Sequence, residues 1–132
     1  MTTRTASCLC GQLSATCEGE PVRVSVCHCL DCQKRSGSSF AAQARFPAAK
    51  VTTSGAANIF HRKADSGEPS EHHFCPECGG EVWYVARPFR DLMAIPLGRF
   101  ADPAFPAPAY SVYEERKHAW VAITSEGTEH YD

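Results

Sequence analysis

Apolar and polar residues alternate along most of this chain, and breaker-rich stretches interrupt the alternation at short intervals. Leu13, Ala15 and Cys17 are separated by polar neighbours, the period of a strand with one buried face. Glu18-Gly19-Glu20-Pro21 stops the run, and Val22-Arg23-Val24-Ser25-Val26 resumes it directly ahead of Cys27. Gln33 to Ser39 is polar and contains glycine, which predicts a helical turn followed by a loop. Phe40 to Phe46 reads as another strand, closed by Pro47. Val51 to Thr53 and Asn58 to Lys63 read as two short strands about a turn at Gly55, and Ala64 to Ser70 reads as a turn. His72-His73-Phe74 leads into Cys75, and Glu81 to Val85 and Leu92 to Leu97 are strand-like. Asp102 to Pro108, with three prolines, is a surface connection. Tyr110 to Glu115 and Ala119 to Ile123 finish the ordered part, and the polar stretch from Thr124 to Asp132 is expected to be a loose tail. No stretch of ten or more residues carries a helical period. The expectation is a mainly β chain, one domain over residues 1–132 with its ordered core from about 5 to 124.

Composition narrows the partners. With 13 basic and 15 acidic residues and 43% hydrophobic residues, the chain is nearly neutral and has no run of like charges, so a basic surface for nucleic acid is not expected. The start, MTTRTASCLCGQ, has no apolar core of a signal peptide, and no eighteen consecutive residues are apolar. The expected setting is therefore cytoplasmic, without membrane attachment. Reducing thiols there keep disulfides open, so eight cysteines point to metal.

Their spacing supports that reading. Cys75-Pro76-Glu77-Cys78-Gly79-Gly80 is the knuckle of a zinc ribbon, in which proline stiffens the entry and glycine permits the turn that aims backbone N–H groups at sulfur. Cys8-Leu9-Cys10-Gly11 is a second small knuckle, and Cys8, Cys10, Cys75 and Cys78 together make one closed, structural four-thiolate site. Cys27-His28-Cys29-Leu30-Asp31-Cys32 offers three thiolates from one short segment. Three protein ligands with the last position open is the habit of catalytic zinc, whereas structural zinc takes four. Cys17, His28, His61, His72 or His73 folding back onto this trio would make the second site structural as well. Cys17 otherwise fits a small buried hydrophobe on its strand. A redox role for Cys29-x-x-Cys32 lacks the surrounding βαβ pattern such chemistry uses.

Cys8-x-Cys10-Gly11, Cys27-His28-Cys29-x-Asp31-Cys32-x-Lys34-x-Ser36-Gly37 and Phe74-Cys75-Pro76-x-Cys78-Gly79 together resemble the glutathione-dependent formaldehyde-activating enzyme (GFA) family, to which centromere protein V is related. The resemblance runs from Cys8 through Trp120. It implies a β-tent fold of stacked antiparallel sheets with zinc knuckles and two zinc ions, one closed by Cys8, Cys10, Cys75 and Cys78 and one open on Cys27, Cys29 and Cys32. It also implies a carbon–sulfur lyase that joins glutathione and formaldehyde as S-hydroxymethylglutathione. The partner is then a small thiol or aldehyde, with glutathione the first candidate and Arg45, Arg62, Arg87 and Arg90 available to its carboxylates. Zinc would supply Lewis-acid chemistry, and His28 and Asp31 are the nearest candidates to pass a proton. The rival reading is a zinc-stabilised binding module without chemistry.

Overall fold

The computed structural model of the chain describes residues 2–63 and 68–132. It is mainly β, as the alternation predicts. β1 (Thr3–Ser7), β2 (Ser14–Glu18) and β5 (Val51–Ser54) form an antiparallel three-stranded sheet in the order β1-β2-β5. Among the described residues the other sheet has eight strands. β3 (Arg23–Cys27), β4 (Ala41–Pro47), β9 (Leu92–Pro96), β8 (Glu81–Ala86), β7 (Pro69–Phe74) and β6 (Asn58–Lys63) follow one another antiparallel across it. β10 (Tyr110–Val112) joins β3 in parallel, and β11 (Glu129–His130) joins β10 in parallel.

The core lies where the sheets face one another. Ala6, Leu13, Ala15 and Cys17 from the small sheet's side meet Phe46, Val82, Trp83 and Ile95 of the large one, and Phe100 tilts against Phe46 with ring centroids 6.1 Å apart. Cys17 is fully buried there, a small apolar side chain among others. Burying these three aromatic side chains with Leu13, Val82 and Ile95 removes apolar surface from water and draws the two sheets together.

Several local expectations change. Thr3–Ser7 is too polar to show an alternation, yet it is a strand, because β2 supplies its hydrogen-bond ladder and Thr5 and Thr16 pair hydroxyls across it at 3.2 Å. The helix α1 (Leu30–Ser36) begins earlier than the polar run suggests, since the Cys29 sulfur caps it by accepting from the Cys32 N–H, and Gly37 closes it in the left-handed conformation. The C-terminal stretch is not a loose tail. Glu129 N–H donates to Ala109 O, Tyr131 N–H to Ser111 O at 2.8 Å, and Glu114 N–H to Tyr131 O, so backbone pairing orders a segment that has little apolar surface of its own. Pro69 and Ser70, expected in a turn, belong to β7, while 64–67 of that turn lie outside the described residues. Among the described residues no helix is long and apolar enough to cross a membrane.

Candidate metal centres and the cavity beside them

The two cysteine groups assemble as the spacing predicts. Cys8, Cys10, Cys75 and Cys78 bring four sulfurs within 4.8 Å of one another. Cys8 Sγ and Cys10 Sγ are 3.7 Å apart, as are Cys10 Sγ and Cys75 Sγ. Four sulfurs at about 2.3 Å from a tetrahedral zinc stand about 3.8 Å from each other, so the cradle has the size of the ion. Donors surround the sulfurs. Leu13 N–H reaches Cys8 Sγ at 3.3 Å, Glu77 N–H reaches Cys75 Sγ at 3.3 Å, and Gln12 Nε2 reaches Cys75 Sγ at 3.1 Å. Backbone N–H groups of Cys10 and Gly80 hold the Cys78 thiol down to about 6, well on the way to the thiolate a metal needs. Gly79, at φ 78°, makes the turn that lets this knuckle close.

Cys27, Cys29 and Cys32 form the second group, their sulfurs also within 4.8 Å of one another. Cys27 ends β3, Cys29 caps α1 and Cys32 lies in its first turn, so a strand end and a helix start hold all three. The hydrogen bond from Cys27 lowers the Cys32 thiol to about 5, with Cys29 and the Arg35 charge adding to it, and Cys27 is correspondingly pushed up. The lowered Cys32 thiol is the one of the three most disposed to the thiolate form that a soft divalent ion binds. The donor set fits zinc. Among the described residues no fourth cysteine, histidine or carboxylate joins this group.

The trio lies in the wall of a cavity of about 850 Å³. That volume is within the usual range for small-molecule sites, about 300–1,000 Å³. Lys34, Arg35, Arg45, Arg62 and Arg87 line it, against Asp31, Glu68 and Glu81, so the cavity is biased toward anions. Arg62 is paired with Asp31 at 2.8 Å and Arg35 with Glu81 at 2.8 Å. Among the described residues Arg45 and Arg87 have no carboxylate partner. Arg90 lies outside the cavity lining, bonded to Glu71 at 3.3 Å. Tyr113 lines the cavity with its backbone in the left-handed region at φ 57°, a strained conformation of the sort found around functional sites.

Of the two proton-passing candidates, Asp31 lines the cavity and His28 does not. His28 is fully buried, with Nε2 3.0 Å from Ser111 Oγ and its ring 6.0 Å from Phe40. Its neighbours on either side face the cavity, and alternation at the end of β3 turns it inward. His61 and His73 are absent from the lining, and His72 is in it but bonded elsewhere, to Ser70 Oγ and Glu81 Oε1.

Sequence reasoning missed Arg35, Ser70, Glu81 and Tyr84 and saw His72 only as a stray ligand. Ser70, His72 and Phe74 share one face of β7 by simple period, which was available to reading. Glu81 was not. Cross-strand pairs lie on one face, and His72 pairs with Tyr84 and His73 with Trp83. Strict alternation would then put Glu81 beside Trp83 on the core face. A bulge between His73 and Phe74 instead pairs Phe74 with Glu81 and leaves Val82 over. Val82 goes into the core and Glu81 to the cavity.

No curated protein matches the chain. A crystal structure of a Rhodobacter sphaeroides protein is similar in fold, with a TM-score of 0.56 at 18% identity, covering 75% of this chain and 91% of that one. The sequence profile described as "Glutathione-dependent formaldehyde-activating enzyme" matches residues 3–116, and the chain belongs to that family.

Proposed function

We propose that this protein is a zinc-dependent carbon–sulfur lyase whose substrate is a thiol–aldehyde adduct such as S-hydroxymethylglutathione. One observation carries the reading: a cysteine trio one ligand short of a closed zinc site forms part of the wall of a cation-lined cavity of about 850 Å³. Bound to Cys27, Cys29 and Cys32, zinc would supply a Lewis acid that stabilises a substrate thiolate. The chain's own residues do the rest. Arg45 and Arg87, without carboxylate partners among the described residues, suit the two carboxylates of glutathione. Asp31, tied to Arg62, fixes the rim beside the trio. Three thiolates quench much of an ion's charge, which favours a soft sulfur adduct over hydrolysis of a resistant bond.

The test combines metal analysis with turnover. Two zinc ions per chain are expected, one removed by a mild chelator without loss of the circular dichroism signal. Only the fully loaded protein should accelerate exchange between glutathione, formaldehyde and their adduct, followed by NMR. Two ions that leave only on unfolding, or exchange no faster than without protein, would favour a binding module.

A further inference from the structure

Ser70, His72 and Glu81 form a hydrogen-bonded series in the wall of the same cavity, and the metal chemistry above does not use it. His72 Nδ1 meets Glu81 Oε1, and His72 Nε2 lies 2.9 Å from Ser70 Oγ. An ionised carboxylate only accepts, so Nδ1 carries a hydrogen, and in the neutral imidazole Nε2 then keeps a lone pair. To that lone pair, 2.9 Å away, the Ser70 hydroxyl can donate its one hydrogen, in place of the bond it otherwise gives the Arg62 carbonyl at 3.4 Å. The other oxygen of Glu81 accepts from Arg35 at 2.8 Å. The imidazole stacks on Tyr84 at 5.3 Å, with Phe60 at 6.2 Å. A base held by a carboxylate on one nitrogen, and facing a hydroxyl with the other, moves protons at one defined atom.

We infer that His72 carries the proton between oxygen and sulfur of the adduct, with Ser70 and Glu81 as its positioning residues, an inference that rests on the adduct reading above. In cleavage, the hydroxyl of R–S–CH2–OH gives its proton to His72 Nε2, directly or through Ser70 Oγ. The electron pair left on oxygen forms the C=O bond, and the C–S bond breaks with its pair going to sulfur. The imidazolium returns the proton to the departing thiolate, so a neutral aldehyde and thiol leave and His72 is reset. Condensation is the same sequence reversed. Nothing is oxidised or reduced, and no co-reactant is needed.

The experiment measures glutathione–formaldehyde exchange by NMR magnetisation transfer on the zinc-loaded, full-length chain. His72→Ala is expected to lose about 10²–10⁴-fold in rate, the usual scale of general acid–base catalysis, with metal content and circular dichroism unchanged. Imidazole in solution should restore part of the loss, whereas pyrrole, of the same shape without a basic nitrogen, should not. His72→Gln covers the case in which alanine loosens the cavity wall. Two-bond ¹H–¹⁵N spectra should show the wild-type His72 ring with hydrogen on Nδ1 alone. A wild-type protein that accelerates exchange while a folded His72 variant matches it overturns the relay alone, as does hydrogen on Nε2. A wild-type protein that does not accelerate exchange overturns the adduct reading and this use of the relay with it.

Discussion

Arg35→Met probes the pair on which the cavity wall depends. Arg35 Nη1 and Glu81 Oε2 are 2.8 Å apart, with the two side chains 18% and 16% exposed. At that separation and an effective dielectric of about 20, the gross attraction is about 6 kcal/mol. Desolvating both ions offsets much of it, and removing one member of such a pair generally costs about 3–5 kcal/mol, because the other charge stays buried. Glu81 keeps its bond to His72, which places the expected loss near the low end, about 3 kcal/mol. Some of this is the lost contact of the guanidinium with the Tyr84 ring, 4.5 Å from its centroid and worth about 1 kcal/mol. Urea unfolding of metal-matched samples at pH 7 measures the loss. Adding Glu81→Gln removes the stranded charge, so the double variant should be more stable than the sum of the singles by at least about 1 kcal/mol. The pH dependence has a definite sign. Burial raises the Glu81 carboxyl, but the His72 hydrogen bond and the Arg35 charge prevail and hold it below its ordinary value. A depressed carboxyl contributes fully above its unfolded pKa, about 4.3, and progressively less as pH falls below it. The gap between wild type and Arg35→Met should therefore be full at neutral pH and narrow below about pH 4. A loss under 1 kcal/mol at pH 7, or purely additive singles, refutes the argument.

The other expectations concern the metal sites and one turn. Cys29→Ala removes both a trio sulfur and the cap of α1; the protein should stay folded with one zinc fewer per chain and no adduct turnover, and retained turnover in a folded variant contradicts the open-site mechanism. Cys75→Ser opens the closed site, where metal binding contributes on the order of 10 kcal/mol, comparable to a domain's whole stability; the cooperative thermal transition should vanish as zinc is released. Gly55→Ala places a methyl group 1.9 Å from the Gln12 carbonyl at a backbone φ of 102°. The expected cost is about 2–3 kcal/mol, read as a lower Tm. Faster zinc loss to a chelator should accompany it, because the displaced Gln12 also holds Cys75 and Ala56.

Much of this protein was determined by short-range pattern. Alternation at Leu13–Cys17 and Phe40–Phe46 marks strands because a strand's two faces are set residue by residue, and both are strands here. The cysteine knuckles were equally legible, since a metal's coordination geometry demands close spacing that few other chemistries ask for. The resemblance carried by those knuckles then named the family. What could not be read depends on partners distant in the chain. Thr3–Ser7 and Glu129–His130 are strands only because β2 and β10 offer unpaired edges. His28 turns inward to Ser111, 83 residues away, while the cysteines around it face the cavity. The joining of Arg35 from a helix with His72 and Glu81 from two strands needs the sheet itself, and Glu81 reaches the cavity only through a bulge that reverses its face. Sequence by itself decided which residues could bind metal. Tertiary structure decided which polar groups stand beside it, because register and bulges are settled by packing across strands, where a slip of one residue exchanges core for cavity.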